Sequence, residues 1–298
     1  MNGVSPALYP WTGRFFDRGG ARMHYLDVGP PDGEPVVMVH GNPTWSFHFR
    51  EVVRALESTH RCIVPDHVGC GLSDKPRDDR YDYTLGSRVL DLGALIERLE
   101  PSRKIHLVVH DWGGMIGFAW AAKHAARIAS LTVLNTAAFP LPATKKFPPA
   151  LALTRTPLGS LLVRGGNAFA WTASRLCVTK TPLAPDVRAA YLAPYGSWSD
   201  RVATLRFVQD IPLSPSDRAW SIVAETASLL PDLEAAPMLI GWGMKDFVFD
   251  AHFLDEWVRR FPRARVRRFP DAGHYVLEDE RAVLVPEIAA FVRAHAGR

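Results

Sequence analysis

The chain has 298 residues, of which 47% are hydrophobic, so it can bury the core of one long domain or of a domain with an insert. Its formal net charge is only +4 and no apolar run approaches the roughly 20 residues of a membrane-spanning helix. Residues 1–10 carry no export signal, and Cys62, Cys70 and Cys177 are too scattered for a disulfide framework or a metal site. We therefore expect a cytoplasmic protein with reduced thiols, no metal and no cofactor.

Strands and helices are predicted to alternate through the first half of the chain. Loose alternation of polar and apolar residues around Gly19 and Gly20 predicts an opening β-hairpin over residues 15–28. Hydrophobic periodicity then predicts strand 36–39, helix 46–56, strand 61–64, helix 84–99, strand 107–109, helix 115–122 and strand 128–134. This alternation indicates a mostly parallel sheet with helices on both faces.

The alternation stops at Phe139. Residues 139–231 are rich in Pro, Ala, Leu and aromatic residues and contain no convincing strand, so we interpret them as a helical cap over the carboxyl edge of the sheet. The earlier pattern returns with strand 237–242, helix 251–261, strand 265–269 and helix 281–295. We therefore predict an α/β core, residues 1–138 and 232–298, with an eight-stranded sheet, and a cap, residues 139–231, inserted after the sixth strand.

Arginine is concentrated in residues 259–269. No aromatic platform or nucleic-acid-binding motif accompanies these arginines, so we expect no nucleic-acid partner. We place them instead at a helix end and along a late strand, where charge discourages pairing with another sheet edge. Peripheral contact with an acidic surface or with lipid head groups stays open.

Residues 105–115, Ile-His-Leu-Val-Val-His-Asp-Trp-Gly-Gly-Met, carry the strongest chemical signal. A buried strand, a sharp turn at Gly113 and Gly114 and a helix would hold Asp111 at the carboxyl edge of the sheet, where α/β folds bind ligands. The nucleophile elbow of α/β-hydrolases has this layout, usually with Ser. An ionised Asp can instead attack an electrophilic carbon directly and form an ester. The competing interpretation is that Asp111 only caps the helix.

Two further residues follow strands in the order that this fold uses, which is nucleophile, acid and His. Asp246 comes just after strand 237–242, and His274 comes just after strand 265–269. His274 would activate water against an ester on Asp111, and Asp246 would orient the imidazole. Alone, Asp246 could cap the next helix and His274 could be an ordinary loop residue, but three matches in order favour a catalytic centre.

Asn42 and Trp112 occupy the predicted oxyanion-hole positions. In this fold a backbone N–H from the loop after the third strand joins the N–H that follows the nucleophile. The side chains of both residues also carry N–H donors, which could hold an anionic leaving group beside Asp111. The alternative for Asn42 is a turn residue before Pro43.

Across almost its whole length the chain resembles the haloalkane dehalogenases, and more closely the subgroup that contains the β-lactone decarboxylases of olefin biosynthesis. Residues 110–114, His-Asp-Trp-Gly-Gly, are shared with epoxide hydrolases, whereas Asn42 resembles the halide-holding Asn of the dehalogenases. Asn135 stands where one dehalogenase subgroup keeps its acid. The resemblance therefore leaves Asp246 as the acid.

Residues 245–250 and 273–279 resemble the β-lactone decarboxylases most. This resemblance implies a hydrophobic small-molecule substrate, a cis-oxetanone with two long alkyl chains that loses carbon dioxide to give a cis-alkene. It also allows an assembly with other olefin-biosynthesis enzymes. Three alternatives stay open, namely hydrolytic dehalogenation of a haloalkane, epoxide hydrolysis with Tyr191 or Tyr195 as proton donor, and a hydrolase-fold binding protein without catalytic activity.

Overall fold

The computed structural model describes residues 4–99, 101 and 103–297. Within that part of the chain, eight strands form one sheet in the order β1-β2-β4-β3-β5-β6-β7-β8. They are β1 (Arg14–Asp17), β2 (Arg22–Val28), β3 (Glu34–Val39), β4 (His60–Pro65), β5 (Ile105–Asp111), β6 (Ile128–Thr136), β7 (Met238–Gly243) and β8 (Arg265–Phe269). β2 is antiparallel to β1 and β4, and all the other neighbouring strands are parallel. The predicted α/β fold is confirmed.

The helices alternate with the strands outside one long insert. They are α1 (Arg50–Leu56), α2 (Leu85–Leu99), α3 (Trp112–Ala121), α4 (Pro149–Leu153), α5 (Pro157–Gly166), α6 (Ala168–Leu176), α7 (Pro185–Leu192), α8 (Val202–Gln209), α9 (Trp220–Leu229), α10 (Ala251–Arg260), α11 (Val276–Asp279) and α12 (Arg281–Ala294). The predicted helix over residues 46–56 is divided, because a 3-10 turn over Ser46–Phe49 precedes α1. No helix in the described residues is long and apolar enough to cross a membrane.

The sheet has an apolar layer on each face. Val37 and Val39 of β3 belong to the core that contains residues of α2 and α3, whereas Val36 and Met38 belong to the core that contains residues of α1 and α12. Successive residues of a strand point to opposite faces, so one apolar run serves both layers. β5 lies between β3 and β6 and is buried along its full length. The strand that leads to Asp111 is therefore buried in the middle of the sheet.

The insert between β6 and β7 contains α4–α9, as the sequence pattern predicts. Residues of α4, α5, α6 and α8 line a cavity that reaches Asp111, so these helices cover the carboxyl edge of the sheet. The last helix of the insert, α9, packs against α3 instead. The division of the chain into core and cap at residues 139 and 231 stays a prediction.

Gly113 and Gly114 do not form the predicted turn, because α3 begins at Trp112 and contains both glycines. Their role is close packing. A Cβ atom on Gly113 would lie 1.8 Å from the carbonyl oxygen of Val39, and one on Gly114 would lie 1.9 Å from the hydroxyl oxygen of Thr136. The two glycines therefore let the first turn of α3 approach β3 and β6, and the sharp turn itself falls on Asp111.

The arginines of residues 259–269 lie where the sequence places them. Arg259 and Arg260 end α10 and pair with Glu256, each at 2.7 Å. Arg267 is on the edge strand β8 and lies 3.2 Å from Glu287. Much of this positive charge is therefore matched locally. The three cysteines are buried and free.

Candidate active site

Asp111 lies at the junction of β5 and α3, where the backbone turns sharply. Its φ is 54° and its ψ is −127°, a region that residues other than glycine rarely adopt. The hydroxyl of Thr136 on β6 donates a hydrogen bond to the carbonyl oxygen of Asp111. The Asp111 side chain makes no capping hydrogen bond to α3 and lines the cavity. This geometry favours the nucleophile elbow over the helix-cap interpretation.

The three residues of the predicted catalytic centre lie together at the carboxyl edge of the sheet. Nδ1 of His274 lies 2.7 Å from Oδ2 of Asp246, and Nε2 of His274 lies 3.5 Å from Oδ2 of Asp111. All three residues are buried, with at most 6% of their surface exposed. One imidazole therefore lies between two buried carboxylates.

Asp246 is fixed by the backbone of its own loop. Its Oδ1 atom accepts hydrogen bonds from the N–H groups of Val248 at 2.7 Å and Phe249 at 3.0 Å. The residue that caps the following helix, α10, is Asp250, whose carboxylate accepts from the N–H of His252. Asp246 is thus not the helix cap, and its Oδ2 atom is free to face His274.

Asn135 supports Asp246 rather than replacing it. Its side-chain NH₂ donates to Oδ2 of Asp246 and to the carbonyl oxygen of Gly243, both at 3.0 Å. Its Oδ1 atom accepts from the N–H of Gly243 at 2.8 Å. The amide therefore joins the end of β6 to the end of β7 and adds one donor to the carboxylate that faces His274.

The surroundings of Asp111 and His274 raise the pKa of both side chains. Burial is the largest influence on Asp111 and raises the pKa of its carboxyl to about 6, although His274 and the N–H groups of Asn42 and Trp112 oppose it. Burial also disfavours the imidazolium of His274, but the charge and hydrogen bond of Asp246, together with the charge of Asp111, outweigh burial and raise the pKa of the imidazole. Above pH 6 Asp111 is therefore mostly ionised.

Asn42 and Trp112 both lie beside the Asp111 carboxylate, but the Asn42 amide is partly engaged. The backbone N–H of Asn42 donates to Oδ1 of Asp111 at 2.6 Å, and its side-chain NH₂ donates to the carbonyl oxygen of Thr204 in α8 at 3.0 Å. Since an amide carries two N–H bonds, one stays available to a ligand. Trp112 packs against Phe207, with ring centroids 5.3 Å apart, and lines the cavity with Asn42. The leaving-group role of this pair stays a prediction.

The cavity above these residues has a volume of about 310 Å³ and walls that are mostly apolar. The walls come from the cap and from four core segments, and their apolar residues include Phe139, Leu151, Val163, Phe169, Val208 and Phe249. Among the described residues that line the cavity, the charged and amide side chains are Asp111, His274 and Asn42 at one end and Lys145, which pairs with Asp250 at 2.6 Å. Such a cavity fits a largely hydrocarbon ligand with one polar reacting group.

A buried ion pair supports the His274 loop, and the sequence did not single it out. Arg50 donates two hydrogen bonds to Glu278, at 2.6 and 2.9 Å. The hydroxyl of Tyr191 in the cap donates to the same carboxylate at 2.5 Å and lies 2.9 Å from Nδ1 of His48. Burial acts to raise the pKa of Glu278, but the hydrogen bonds and charge of Arg50 outweigh it, so the pKa is lowered and Glu278 stays ionised. The ion pair joins α1 to α11, and the hydrogen bond from Tyr191 adds α7.

Tyr191 and Tyr195 do not lie where an epoxide would need a proton donor. The Tyr191 hydroxyl faces Glu278, and the Tyr195 hydroxyl donates to the carbonyl oxygen of Thr44 at 3.4 Å. Neither tyrosine is among the described residues that line the cavity. Their proposed role in epoxide hydrolysis was therefore wrong, because both hydroxyls are turned toward partners inside the protein.

A separate group of side chains has the spacing of metal ligands. Glu34, His60 and His106, at the opposite, amino end of the sheet, are close enough together to share an ion. Glu34 already lies 3.1 Å from Nε2 of His106 and accepts a hydrogen bond from Arg103 at 3.3 Å. Glu34 and His106 are therefore already hydrogen-bonded, and the group lies at the end of the sheet opposite to Asp111.

Comparison with known proteins agrees with this geometry. Residues 34–159 match the family model described as alpha/beta hydrolase fold. The cis-3-alkyl-4-alkyloxetan-2-one decarboxylase of Shewanella oneidensis is 52% identical over 96% of this chain and 89% of its own length. The protein of the same name from Xanthomonas campestris pv. campestris is 51% identical over 95% of this chain and 97% of its own length.

More distant relatives carry a different name. Haloalkane dehalogenase 2 of Mycobacterium tuberculosis is 32% identical over 92% of this chain and 92% of its own length. The crystal structure of the haloalkane dehalogenase DbeA from Bradyrhizobium elkani has a TM-score of 0.84 at 24% identity, covers 95% of this chain and 98% of that chain, and shares its fold. The chain belongs to the family of the cis-3-alkyl-4-alkyloxetan-2-one decarboxylases, within the haloalkane dehalogenase-like α/β-hydrolases.

Proposed function

We propose that this enzyme converts a cis-3-alkyl-4-alkyloxetan-2-one, a β-lactone with two alkyl chains, to a cis-alkene and carbon dioxide. The observation that carries the proposal is a buried carboxylate, Asp111, at the polar end of an apolar cavity and 3.5 Å from His274. The similarity to two decarboxylases over almost the full chain supports the substrate class. Asp111 is the nucleophile, His274 and Asp246 complete the catalytic centre, and Asn42 and Trp112 are the donor pair.

The first step opens the lactone ring. An oxygen of Asp111 attacks the ring carbon that carries the alkyl oxygen, and the carbon–oxygen bond breaks with inversion. The products are an ester on Asp111 and a free carboxylate, to which Asn42 and Trp112 can donate N–H bonds. Attack at the carbonyl carbon would instead give an anhydride and an alkoxide, and neither of them loses carbon dioxide directly. We therefore favour attack at the alkyl carbon.

The second step releases both products. The carbon–carbon bond to the carboxylate breaks, its electron pair forms the alkene, and the ester oxygen departs as the Asp111 carboxylate. Inversion followed by anti elimination leaves the two alkyl chains on the same side, which gives the cis-alkene. A protonated His274 beside Asp111 stabilises the departing carboxylate. The apolar walls assist because a poorly solvated carboxylate loses carbon dioxide more easily. No water is consumed.

Hydrolytic dehalogenation is the second candidate, and the position of His274 favours it. The same attack by Asp111 on a haloalkane would release halide and leave an alkyl ester that has no carboxylate to lose. Hydrolysis of that ester needs a base, and Nε2 of His274 lies 3.5 Å from Asp111. The 32% identity to a haloalkane dehalogenase supports this reaction more weakly than the 52% identity supports decarboxylation.

The test is turnover of a long-chain cis-β-lactone and of a 1-bromoalkane by the same purified protein in ¹⁸O-labelled water. We expect cis-alkene from the lactone, with no label entering the Asp111 carboxylate, because the ester is cleaved without water. Bromoalkane turnover would place ¹⁸O on Asp111 through ester hydrolysis. Bromide release much faster than alkene formation would make dehalogenation the main activity. Failure to form alkene from cis-β-lactones of several chain lengths would overturn the proposal.

Asp111→Asn is the matched negative control for both substrates, because an amide is a poor nucleophile and the substitution keeps the shape of the side chain. Its turnover should fall by orders of magnitude, with deamidation excluded by mass spectrometry. Rates like those of the unaltered protein in a freshly purified variant would remove Asp111 from the mechanism.

A further inference from the structure

The first half of the cap has an unusual charge composition. Residues 139–185 contain six of the 35 basic residues of the chain and none of its 31 acidic residues. The basic residues are Lys145, Lys146, Arg155, Arg164, Arg175 and Lys180. The other 251 residues therefore carry 29 basic and 31 acidic side chains. The positive net charge of the protein is concentrated in this one segment.

The same segment exposes large apolar side chains, whose exposed fractions are 59% for Leu158, 56% for Leu161, 50% for Trp171 and 59% for Leu176. Leu158 and Leu161 lie one turn apart on α5, so they share a face of that helix. Trp171 and Leu176 belong to α6, which packs against α5. A soluble monomer rarely leaves so many large apolar side chains together in water unless the surface binds something.

This exposed surface is continuous with the cavity. Leu153, Leu162, Leu176 and Phe247 are each between 43% and 59% exposed, and each also lines the cavity above Asp111. They form an apolar rim between the outer face of α5 and α6 and the catalytic centre. A hydrocarbon chain could therefore pass from the surface into the cavity without contact with a carboxylate on the way.

Two of the six cations are free to meet an anionic surface. The other four are paired: Lys145 with Asp250 at 2.6 Å, Arg155 with Asp217 at 3.3 Å, Arg164 with Asp78 at 4.0 Å and Lys180 with Glu280 at 2.9 Å. Neither Lys146 nor Arg175 has a carboxylate within ion-pair distance in the described residues; Lys146 is exposed and lies between two residues that line the cavity. The guanidinium of Arg175 lies 3.7 Å from the ring centroid of Trp171. This Arg–Trp pair is amphipathic, which suits a membrane–water interface.

We propose that the outer face of α5 and α6, together with Lys146, docks on the surface of an anionic lipid bilayer and takes up its substrate directly from the membrane. Leucine and tryptophan would enter the head-group region while the cations contact lipid phosphates. A protein partner fits less well, because the face offers no acidic group and few neutral hydrogen-bonding side chains between the leucines. Uptake of the lactone rests on the proposed function, whereas docking does not.

The direct test is co-sedimentation of the full-length protein with vesicles of phosphatidylcholine alone and of phosphatidylcholine mixed with phosphatidylglycerol. We expect binding to the mixed vesicles, and weaker binding to the neutral ones or at high salt. The variant with both Leu158→Ser and Leu161→Ser should bind mixed vesicles about tenfold less tightly or worse. Lys146→Glu should weaken binding several-fold. Neither leucine lines the cavity.

Matched controls separate this face from other surfaces. Leu90→Ser removes a leucine that is 69% exposed on α2, and Arg268→Glu reverses a charge on the exposed arginine-rich strand β8. Both variants should bind vesicles as the unaltered protein does. Equal losses in the controls and in the cap variants would refute a specific docking face. A different outcome is that the protein self-associates without binding vesicles, and that the variant with both Leu158→Ser and Leu161→Ser abolishes the self-association. That result would show that the face joins two copies, and it would also refute the proposal.

Turnover measurements distinguish docking on the membrane from uptake of the lactone. With a short, water-soluble lactone, Leu158→Ser with Leu161→Ser should act at the rate of the unaltered protein, whereas with a long-chain lactone held in mixed vesicles its rate should fall with its vesicle binding. Equal long-chain rates despite lost binding would overturn uptake from the membrane. Vesicle binding without turnover of any lactone would refute the proposed function and leave docking intact.

Discussion

Replacing Asp246 with Asn exchanges one oxygen for NH₂ and should separate ester hydrolysis from the initial attack. Oδ1 of Asp246 accepts two backbone N–H groups, so the amide oxygen would keep that place. The new NH₂ would then face the NH₂ of Asn135 and Nδ1 of His274, which lie 3.0 and 2.7 Å from Oδ2. His274 would have to accept at Nδ1 and carry its proton on Nε2, toward Asp111. In that tautomer Nε2 has no lone pair with which to activate a water molecule beside Asp111.

The expected magnitude follows from the contact that is lost. A hydrogen bond to a charged group contributes about 1.5–3 kcal/mol, which corresponds to a rate loss of about tenfold to 150-fold. With a bromoalkane, Asp246→Asn should give a burst of bromide, a steady rate reduced by at least that factor, and an ester on Asp111 visible by mass spectrometry. Alkene formation from a β-lactone should fall less, because it consumes no water.

Asp271→Asn is the control, since it removes an exposed carboxylate of the same region, 2.8 Å from Lys245. It should leave both reactions unchanged. The reasoning about Asp246 fails if Asp246→Asn shows no burst, no trapped ester and an undiminished steady rate on both substrates.

Three further predictions follow from the geometry. Asn42→Ala or Trp112→Phe removes one side-chain donor while the backbone N–H stays, so lactone kcat/KM should fall about tenfold to a few hundredfold; normal rates in both variants would withdraw the leaving-group role. The pKa of Asp111 is about 6 when folded and its ordinary value is 3.8, so ionisation destabilises the fold as pH rises through that window, by about 3 kcal/mol once complete. Urea unfolding should therefore show Asp111→Asn to be more stable than the unaltered protein at about pH 8, by up to that amount, with the gain nearly absent at about pH 4; an equal gain at both pH values would contradict the burial argument. Glu278→Gln removes the buried carboxylate that pairs with Arg50 and leaves only the partly exposed Glu51, 3.4 Å from Nε of Arg50, as a countercharge, so it should cost about 3–5 kcal/mol in the same assay. Glu225→Gln, at an exposed pair with Lys123, should change stability by less than about 1 kcal/mol; similar small losses in both would show that Glu278 is not structurally important.

The sequence predicts the position of the centre because the fold brings strand ends together. Asp111, Asp246 and His274 each follow a strand of one parallel sheet, and the carboxyl ends of such strands meet at the same edge. Periodicity places the strand ends, and the chain order of nucleophile, acid and His in the α/β-hydrolase fold selects these three residues, which are far apart in the chain. The fold class and the helical insert could be predicted for the same reason, since alternation and its interruption are local patterns.

Contacts that depend on side-chain direction could not be predicted. Arg50 and Glu278 are 228 residues apart and meet only because α1 and α11 lie side by side. The sequence allows Tyr191 as a proton donor, but its hydroxyl faces that ion pair rather than the cavity. Gly113 and Gly114 looked like turn residues because glycine allows both a sharp turn and close packing, and only the position of β3 and β6 distinguishes the two.

The central claim is that Asp111 forms a covalent ester with the opened lactone before carbon dioxide leaves. Rapid quenching of the enzyme with a cis-β-lactone, followed by peptide mass spectrometry, tests it directly. The account predicts that the peptide containing Asp111 gains the full mass of the lactone, and that this adduct decays at the rate at which alkene and carbon dioxide appear. Alkene formed at the full rate with no adduct on Asp111, or with the adduct on another residue, would contradict it.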